Sequence, residues 1–356
     1  MKYIITIGLN NTSIVNQTFN APYYHSNGKT DKIEFNGSEI IIDGERGKKM
    51  SGNDILFNVQ NSFYNQLLKT LLFHYCINGS RAEIRSISIK LIQNHDETEL
   101  ISQQFSRDQQ PFRICNPPIP LVPNSLSLLF GEADINFRLR IIVTHLLQAI
   151  SESDVIKKLE GVWRAFERIA VYLLKQPLTT RPNISNALLK MKEELITNSS
   201  RYSQTAQLVN GMSVADLRQF RWHDMVENNF QPAASQNKYR EYKQKLSDSF
   251  VDYRVAQVNL DLLHYRATEL QSFGLYNQIV NDCNSNVTNH ITKDVDIVAF
   301  LCCNYVYFLR NKLFHGEAVV RRSIFDFSNS DDLRLNDLIR IMTTLTVELI
   351  NNFNNL

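Results

Sequence analysis

Residues 305–317 read YVYFLRNKLFHGE, and three strongly polar side chains, Arg310, Asn311 and His315, close an otherwise apolar segment. The residues upstream of them, 295–309, leave almost no polar face. An apolar surface of this extent predicts a helix that is buried on most of its sides. Strongly polar groups at the end of such a helix need a partner or a function, because burying them unpaired costs free energy.

The spacing of these three residues limits how they can act together. Successive helix residues are rotated by about 100°, so Asn311 and His315 share a face, while Arg310 lies one step round from Asn311. A common target for Arg310 and His315 therefore requires a long arginine reach, a distorted last turn, or a second subunit. A histidine in the last turn also meets the negative end of the helix dipole, which favours its protonated form by a few tenths to about 2 kcal/mol.

The flanking residues supply the expected ends of this helix. Thr292 or Asp294 is expected to cap its start, and Gly316 suits the left-handed position just beyond its end. One more amphipathic helix is predicted over residues 335–353.

The segment from Arg310 to Gly316 resembles the motif of the HEPN superfamily of nucleases, in which an arginine is followed by a polar residue and then by a histidine after four to six intervening residues. Here four residues intervene. The arrangement is similar to that of the Apea-like HEPN proteins of bacterial antiphage defence. The resemblance implies an all-α bundle and a homodimer whose two motifs face one cleft and cut RNA without a metal. It also implies abortive infection as the role, with a phage-derived trigger or a regulatory partner.

By this resemblance, Arg310, His315 and Asn311 form the catalytic set. RNA carries its own nucleophile, the 2′-hydroxyl, so a proton-transfer group and a positive charge near the phosphate can form a 2′,3′-cyclic phosphate and a free 5′-hydroxyl. His315 would handle the proton, Arg310 would hold the phosphate, and Asn311 would orient either group. No cofactor is expected.

Two other readings of the motif stay open. The three residues can form a buried polar network, in which the arginine pairs with a carboxylate and the histidine is satisfied by backbone groups. Alternatively, the fold can be a non-catalytic HEPN-fold module that binds a nucleotide or a protein partner. Glu167 is a candidate to fix Arg310 across the bundle, but a solvated salt bridge with Arg164 or Arg168 explains it better, so Glu167 stays outside the catalytic set.

Basic residues elsewhere are weaker candidates for RNA contact. Lys312 adjoins the motif, and Arg221 lies in a segment that interleaves bases with aromatic rings, as an RNA-stacking surface does. Amphipathic packing of Phe220 and Trp222 explains the same pattern. The basic run over residues 238–245 is typical of a solvated helix face.

Composition indicates an ordinary globular protein. The chain of 356 residues is long enough for two domains, and its residues are 43% hydrophobic and 21% charged. The formal net charge of +2 neither supports nor excludes a nucleic-acid partner. The sequence has neither a signal-peptide layout nor an apolar run long enough to span a bilayer, which predicts a cytoplasmic protein. The five cysteines are expected to be free apolar thiols.

Residues 1–124 are predicted to form an α+β domain of uncertain, sensory or regulatory, role. Period-two patterns predict strands over residues 3–7, 32–42 and 87–91, with a tight turn at Asn36-Gly37, and one helix is expected from about Ser51 to Tyr75. Five of the nine prolines lie between Pro111 and Pro123, where we place the domain boundary.

Residues 125–356 are predicted to form the helical, HEPN-like domain. A short strand over 125–130 is an alternative that would belong to the first domain. Helices are expected near residues 137–150, 155–173, 184–195, 213–228, 239–250 and 253–273, with Asn-rich turns between them. The sequence thus predicts a metal-independent endoribonuclease, with catalytic groups in the N-terminal domain as a further possibility.

Overall fold

A computed structural model describes the chain except for residues 12–15, 24–25, 107–116, 118, 178, 221, 230–235, 249 and 315–329. The described residues form two compact units. Unit 1 comprises Met1–Ser153 with Ile350–Asn355, and unit 2 comprises Asp154–Leu349 with Leu356. Unit 1 is α+β and unit 2 is helical, which confirms the predicted order of the two fold classes.

In the described part of unit 1, six strands form one antiparallel sheet in the order β2-β3-β4-β1-β5-β6. They are β1 (Lys2–Leu9), β2 (Gln17–Pro22), β3 (Thr30–Asn36), β4 (Glu39–Glu45), β5 (Ile84–Gln93) and β6 (Asp96–Gln104). The central strand β1 buries Tyr3, Ile5 and Ile7 on one face. The predicted strands and the tight turn are confirmed, and Gly37 has the left-handed φ of 55° that this turn requires. The sequence did not predict β2 and β6.

The helix expected from Ser51 to Tyr75 is instead two helices, α1 (Gly52–Phe57) and α2 (Ser62–Asn78). Asn61 ends the continuity because its side-chain oxygen accepts a hydrogen bond from the backbone amide of Phe63 and so caps α2. Val59, which fits the apolar repeat, lies in the turn with 66% of its surface exposed. An asparagine cap therefore overrides a periodic pattern that continues on both sides of it.

A buried ion pair lies in the core of unit 1. The guanidinium of Arg46 donates from Nη1 and Nη2 to the two carboxylate oxygens of Asp31, at 2.7 Å each. It also lies 3.6 Å and 3.8 Å from the ring centroids of Tyr23 and Phe63. A Cβ at Gly44 would come within 2.1 Å of an Asp31 oxygen, so the strand passes the carboxylate only with glycine there.

The two units divide after Ser153, about thirty residues beyond the predicted boundary at 124. Lys69 of α2 explains why the intervening segment stays with unit 1, because it donates to the carbonyl of Phe130 at 3.2 Å and pairs with Glu132. The alternative of a strand over 125–130 is wrong. The segment forms α3 (Pro123–Leu126) and a 3₁₀ turn, and proline at the first position of α3 favours a helix start. Helix α4 (Asp134–Ile150) follows.

Unit 2 is built from helices in the residues that the structure describes. These are α5 (Val155–Leu173), α6 (Ile184–Thr197), α7 (Ser203–Asn210), α8 (Val214–Arg218), α9 (Trp222–Asn229), α10 (Gln236–Leu246), α11 (Tyr253–Leu262), α12 (Ala267–Ser272), α13 (Tyr276–Thr288), α14 (Asp294–Ala299), α15 (Val306–Phe314) and α16 (Ser330–Asn351), the last belonging to unit 2 as far as Leu349.

Most predicted helices are confirmed, but the single helices expected over 213–228 and 253–273 are each divided in two. The sequence did not predict α7 and α13. Helix α13 is rich in asparagine and buries only Ile279 and Cys283, four residues apart, so its apolar stripe is too narrow to stand out from a turn. No helix in the described ranges is both long and apolar enough to cross a bilayer.

A buried histidine makes the stability of unit 1 depend on pH. Burial lowers the pKa of His74 in α2 to about 4, and its Nε2 lies 2.6 Å from the side-chain nitrogen of Asn78. The unfolded chain binds this proton at a pKa of about 6.5. The free energy of unfolding is therefore expected to be highest above pH 6.5. It should fall by on the order of 3 kcal/mol as the pH drops from about 6.5 to about 4.

We expect His74→Gln to remove this dependence, measured as the free energy of unfolding at pH 7 and pH 4.5. His95→Asn is the matched control, since His95 is exposed and has a left-handed φ that asparagine tolerates. If His74→Gln loses as much stability on acidification as the wild type and the control do, His74 does not cause the pH dependence.

Candidate functional site

The polar motif ends a helix in unit 2 that runs over residues 294–314, hereafter the motif helix. It consists of α14, a wider π-helical turn over Phe300–Tyr305, and α15. Most of its side chains before Leu309 are buried, which confirms the prediction of a helix enclosed on most sides. The π turn was not predicted. Such turns insert one residue into a helix and occur often near functional sites.

The start of the motif helix differs from the prediction, because neither Thr292 nor Asp294 is its cap. Lys293 occupies the cap position without a side-chain hydrogen bond. Asp294 is the first helical residue, and its carboxylate accepts a hydrogen bond of 2.6 Å from Nη2 of Arg254. The helix therefore begins at an ion pair with α11 rather than at a local cap.

Arg254 is the centre of a buried network that holds this end of the motif helix. Its guanidinium also binds both carboxylate oxygens of Asp252, at 3.0 Å and 2.7 Å. Its Nη1 donates to the carbonyl of Met212 at 3.1 Å. Burial acts to raise the pKa of Asp252, but hydrogen bonds from Arg254 and from the amides of Lys293 and Arg254 outweigh it, so this pKa is lowered. The network keeps a buried carboxylate ionised.

Asp296, one turn into the motif helix, adds a second link to the same region. Its Oδ2 accepts hydrogen bonds from the backbone amides of Val251 and Asp252, at 2.8 Å and 3.2 Å. Burial is the largest influence on its carboxyl group and raises its pKa. The first turn of the motif helix is thus tied to the segment preceding α11 through two acidic side chains.

Aromatic side chains pack along the middle of the motif helix. Trp222 stacks on Phe300 with ring centroids 3.8 Å apart, and Phe220 meets Tyr305 edge to face at 5.7 Å. Phe220 and Trp222 are both buried, which supports packing rather than RNA stacking as the reason for their pattern. Nearby, Arg218 pairs with Asp261 at 2.6 Å. Arg221 lies outside the described residues, so its proposed RNA contact stays a prediction.

The described part of the motif brings Arg310 and Asn311 into contact. Nη1 of Arg310 donates to the amide oxygen of Asn311 at 3.0 Å, and both side chains are half-buried. The arginine therefore reaches round the helix to its neighbour's face, while the choice among the three arrangements for Arg310 and His315 stays a prediction. Lys312 is also half-buried, with Nζ 6.0 Å from the ring centroid of Phe308. His315 and Gly316 lie outside the described residues.

Arg164, one of the two arginines considered as partners of Glu167, forms its ion pair with a different residue. Arg164 pairs with Glu160 on the same face of α5, four residues before it. This i, i+4 geometry on a solvated face is the common arrangement for oppositely charged helix residues. An ion pair of Glu167 with Arg168 and a contact of Glu167 with Arg310 stay predictions.

A cavity of about 290 Å³ in unit 2 lies beside Asn311. Three helices supply its polar lining: α6, α10 and the motif helix. Each presents one face, since the residues of each are three, four or seven apart. The polar side chains are Ser185, Lys192, Glu241, Lys245, Asn304 and Asn311. The motif thus opens onto a polar cavity that the sequence did not predict.

Two lysines are the main charges of this cavity. Lys192 is 6% exposed, and its pKa is lowered, mainly by burial and in part by the charge of Lys245. Cys303, Glu193 and Asp296 act in the opposite direction on this pKa. Lys245 belongs to the basic run that was predicted to be a solvated helix face, and 31% of its side chain is exposed where it lines the cavity, 3.4 Å from Glu241. Lys243 of the same run pairs with Asp248 and Asp282.

Cysteine chemistry does not compete with the motif here. Burial raises the pKa of Cys303 to about 12, so the thiol in the cavity wall is neutral at physiological pH and a poor nucleophile. Cys76, Cys283, Cys302 and Cys303 are all buried free thiols, as predicted, and Cys115 lies outside the described residues. Within the described ranges, His, Cys, Asp and Glu side chains form no group of three or more that could hold a metal ion.

Comparison of the chain with protein-family models, with curated proteins and with solved structures found no match in any of the three.

Removing Arg254 should destabilise unit 2 strongly. Arg254→Ala leaves Asp252 and Asp294 without their shared cation, and breaking a buried ion pair costs roughly 3–5 kcal/mol. Arg218→Ala is the matched control, because its partner Asp261 is solvated and such pairs contribute about 1 kcal/mol or less. Denaturant unfolding measures both. Equal losses for the two variants would show that the Arg254 network does not stabilise the fold as argued.

Proposed function

We propose that the chain is a metal-independent endoribonuclease of the HEPN type. The observation that carries the proposal is the contact between Arg310 and Asn311 at the polar end of a buried helix, with His315 five residues after the arginine in sequence. The adjoining cavity with Lys192 and Lys245 adds support, since a cleaving site for RNA must attract a polyanion.

The chemistry requires a proton-transfer group and a cation. The 2′-oxygen of the substrate loses its proton and bonds to the adjacent phosphorus, while the bond from phosphorus to the 5′-oxygen breaks and that oxygen gains a proton. The products are a 2′,3′-cyclic phosphate and a 5′-hydroxyl. In this proposal His315 transfers a proton, and Arg310 stabilises the charge that develops on the phosphate oxygens.

Asn311 has a positioning role in this scheme. An arginine side chain has high rotamer entropy, and a hydrogen bond that restricts it prepares the guanidinium for a phosphate. The 3.0 Å contact from Arg310 to the Asn311 oxygen provides that restriction. The amide therefore contributes by orienting the cation rather than by reacting.

The proposal includes a homodimer in which the two motifs meet in one cleft. Arg310 and His315 are five apart, so one protomer need not present both to the same phosphate. By its resemblance to the Apea-like group, the enzyme acts as a toxin in the cytoplasm during antiphage defence, and unit 1 senses a trigger or restrains the nuclease. The alternative is a non-catalytic HEPN-fold module that binds a nucleotide or a protein partner, and the lysine-lined cavity is equally compatible with a bound nucleotide.

Purified protein should cleave single-stranded RNA in the presence of EDTA. Arg310→Ala and His315→Ala should each lower the rate by at least about a hundredfold, because a group that stabilises transition-state charge and a positioned acid–base group each contribute at least this much. Lys190→Ala is the control, because Lys190 is exposed and pairs only weakly with Glu193 on the surface of α6. Mapping of product ends should show 2′,3′-cyclic phosphates. Equal cleavage by the wild type and both motif variants would refute the nuclease proposal.

Mixing the two inactive variants tests the composite site. If each site takes Arg310 from one protomer and His315 from its partner, a heterodimer of Arg310→Ala and His315→Ala contains one intact site and one doubly altered site. Co-expressed heterodimers should then recover up to about half of the wild-type rate. If a heterodimer purified through a different affinity tag on each chain shows no recovery, each site lies within one chain.

A further inference from the structure

We propose that the cavity beside Asn311 is a phosphate-binding subsite that holds one nucleotide, with Lys192 and Lys245 as its cations. If the cavity holds the RNA nucleotide next to the cleaved bond, the inference rests on the proposed nuclease function. A free nucleotide contains the same nucleoside monophosphate unit, and the binding experiment distinguishes RNA from the free nucleotide.

The charges in the cavity favour an anion. Among the described side chains that line it, two lysines face one glutamate, so one net positive charge remains. Glu241 lies near Lys245, at 3.4 Å, and Lys245 keeps 31% of its side chain exposed at the cavity. Lys192 is almost fully buried in the cavity wall, where its charge is screened less by water than that of a surface lysine.

The neutral groups of the cavity suit phosphate oxygens. Ser185 has a hydroxyl donor, and the amide of Asn311 has two N–H donors in addition to the oxygen that accepts from Arg310. A phosphate offers several strong acceptor oxygens and more than one negative charge, so it can use both lysines and these donors together. A single carboxylate would satisfy fewer of them.

The remaining lining fits a nucleoside. Tyr307 of the motif helix lines the cavity and stacks on the buried Trp163, with ring centroids 5.8 Å apart and planes 26° apart. An aromatic ring held in this way can stack a base or sugar without sequence preference. The volume of about 290 Å³ lies at the lower end of the range for ligand sites, which suits one nucleotide unit rather than a longer stretch.

The position of the cavity connects it to the motif. Asn304, Tyr307 and Asn311 follow each other at intervals of three and four residues, so they share one face of the motif helix. Asn304 donates to the backbone carbonyl of Lys245 at 2.8 Å, which fixes α10 against that face. A nucleotide held there contacts the residue that orients Arg310, so its neighbouring phosphate is placed at the motif.

The test uses the full-length protein and two probes. Fluorescence anisotropy measures binding of a 2′-O-methyl RNA, which cannot be cleaved because its 2′-oxygen is blocked, and calorimetry measures binding of AMP. Lys192→Met removes the charge while keeping the length and apolar stem of a buried side chain. Lys190→Met, an exposed position on the same helix, is the matched control. Lys245→Met is a second cavity variant, and thermal unfolding checks that each variant folds.

We expect Lys192→Met to weaken binding of the RNA and of AMP by roughly tenfold or more, as for the loss of a charged hydrogen bond. The slope of the logarithm of RNA affinity against the logarithm of salt concentration, measured between about 50 mM and 200 mM salt, should become shallower by about one, as for the loss of one phosphate contact. Lys190→Met should bind as the wild type does, and AMP should compete with the RNA. If Lys192→Met does not fold, the same expectations apply to Lys245→Met.

Two results would overturn this inference in whole or in part, and a third would overturn the nuclease proposal on which its RNA assignment rests. If both cavity variants bind RNA and AMP like the control, the cavity is not a phosphate subsite, and cleavage that still depends on Arg310 would leave the nuclease proposal standing. If only AMP binding falls, the cavity takes a free nucleotide and the RNA assignment is wrong. If the cavity variants lose RNA binding while Arg310→Ala cleaves like the wild type, the subsite stands and the nuclease proposal fails.

Discussion

The geometry of the candidate site depends on one buried cation, Arg254. Its guanidinium joins Asp252, which caps α11, to Asp294, which begins the motif helix, so two helices start from the same ion cluster. Arg310 lies sixteen residues beyond Asp294, a distance of about 24 Å at 1.5 Å per helical residue. Over that length a small tilt of the helix is amplified, so the polar end moves several times farther than the first turn does. Anchoring at the first turn is therefore a condition for placing the motif.

The sequence predicted the elements whose apolar pattern is regular and failed where local polar chemistry or tertiary contacts decide the outcome. Strands β1, β3, β4 and β5 and helices such as α5 have continuous patterns, and they were predicted. The break between α1 and α2 depends on the cap at Asn61, which a periodic pattern does not register. The division between the units depends on Lys69, whose partners Phe130 and Glu132 lie some sixty residues away and cannot be read from composition.

The candidate site was predictable only where its residues are close in sequence. Arg310 and Asn311 adjoin each other in the motif, so the sequence placed both at one site, although it did not specify the hydrogen bond between their side chains. Lys192 and Lys245 lie more than sixty residues before the motif, on helices whose sequences show ordinary amphipathic spacing. The π turn over Phe300–Tyr305 has no recognisable sequence pattern here, although it lies where Asn304 meets α10.

Asn311 is the point at which the motif and the cavity become one chemical arrangement. Its oxygen holds the guanidinium of Arg310, and the same side chain lines the cavity with the two lysines. A phosphate drawn to the lysines therefore approaches a cation that is already oriented, and less rotamer entropy is lost on binding than for a mobile arginine. The neutral thiol of Cys303 adds no negative charge to oppose this approach. Burial thus serves the site, because it keeps this thiol protonated beside the two lysines.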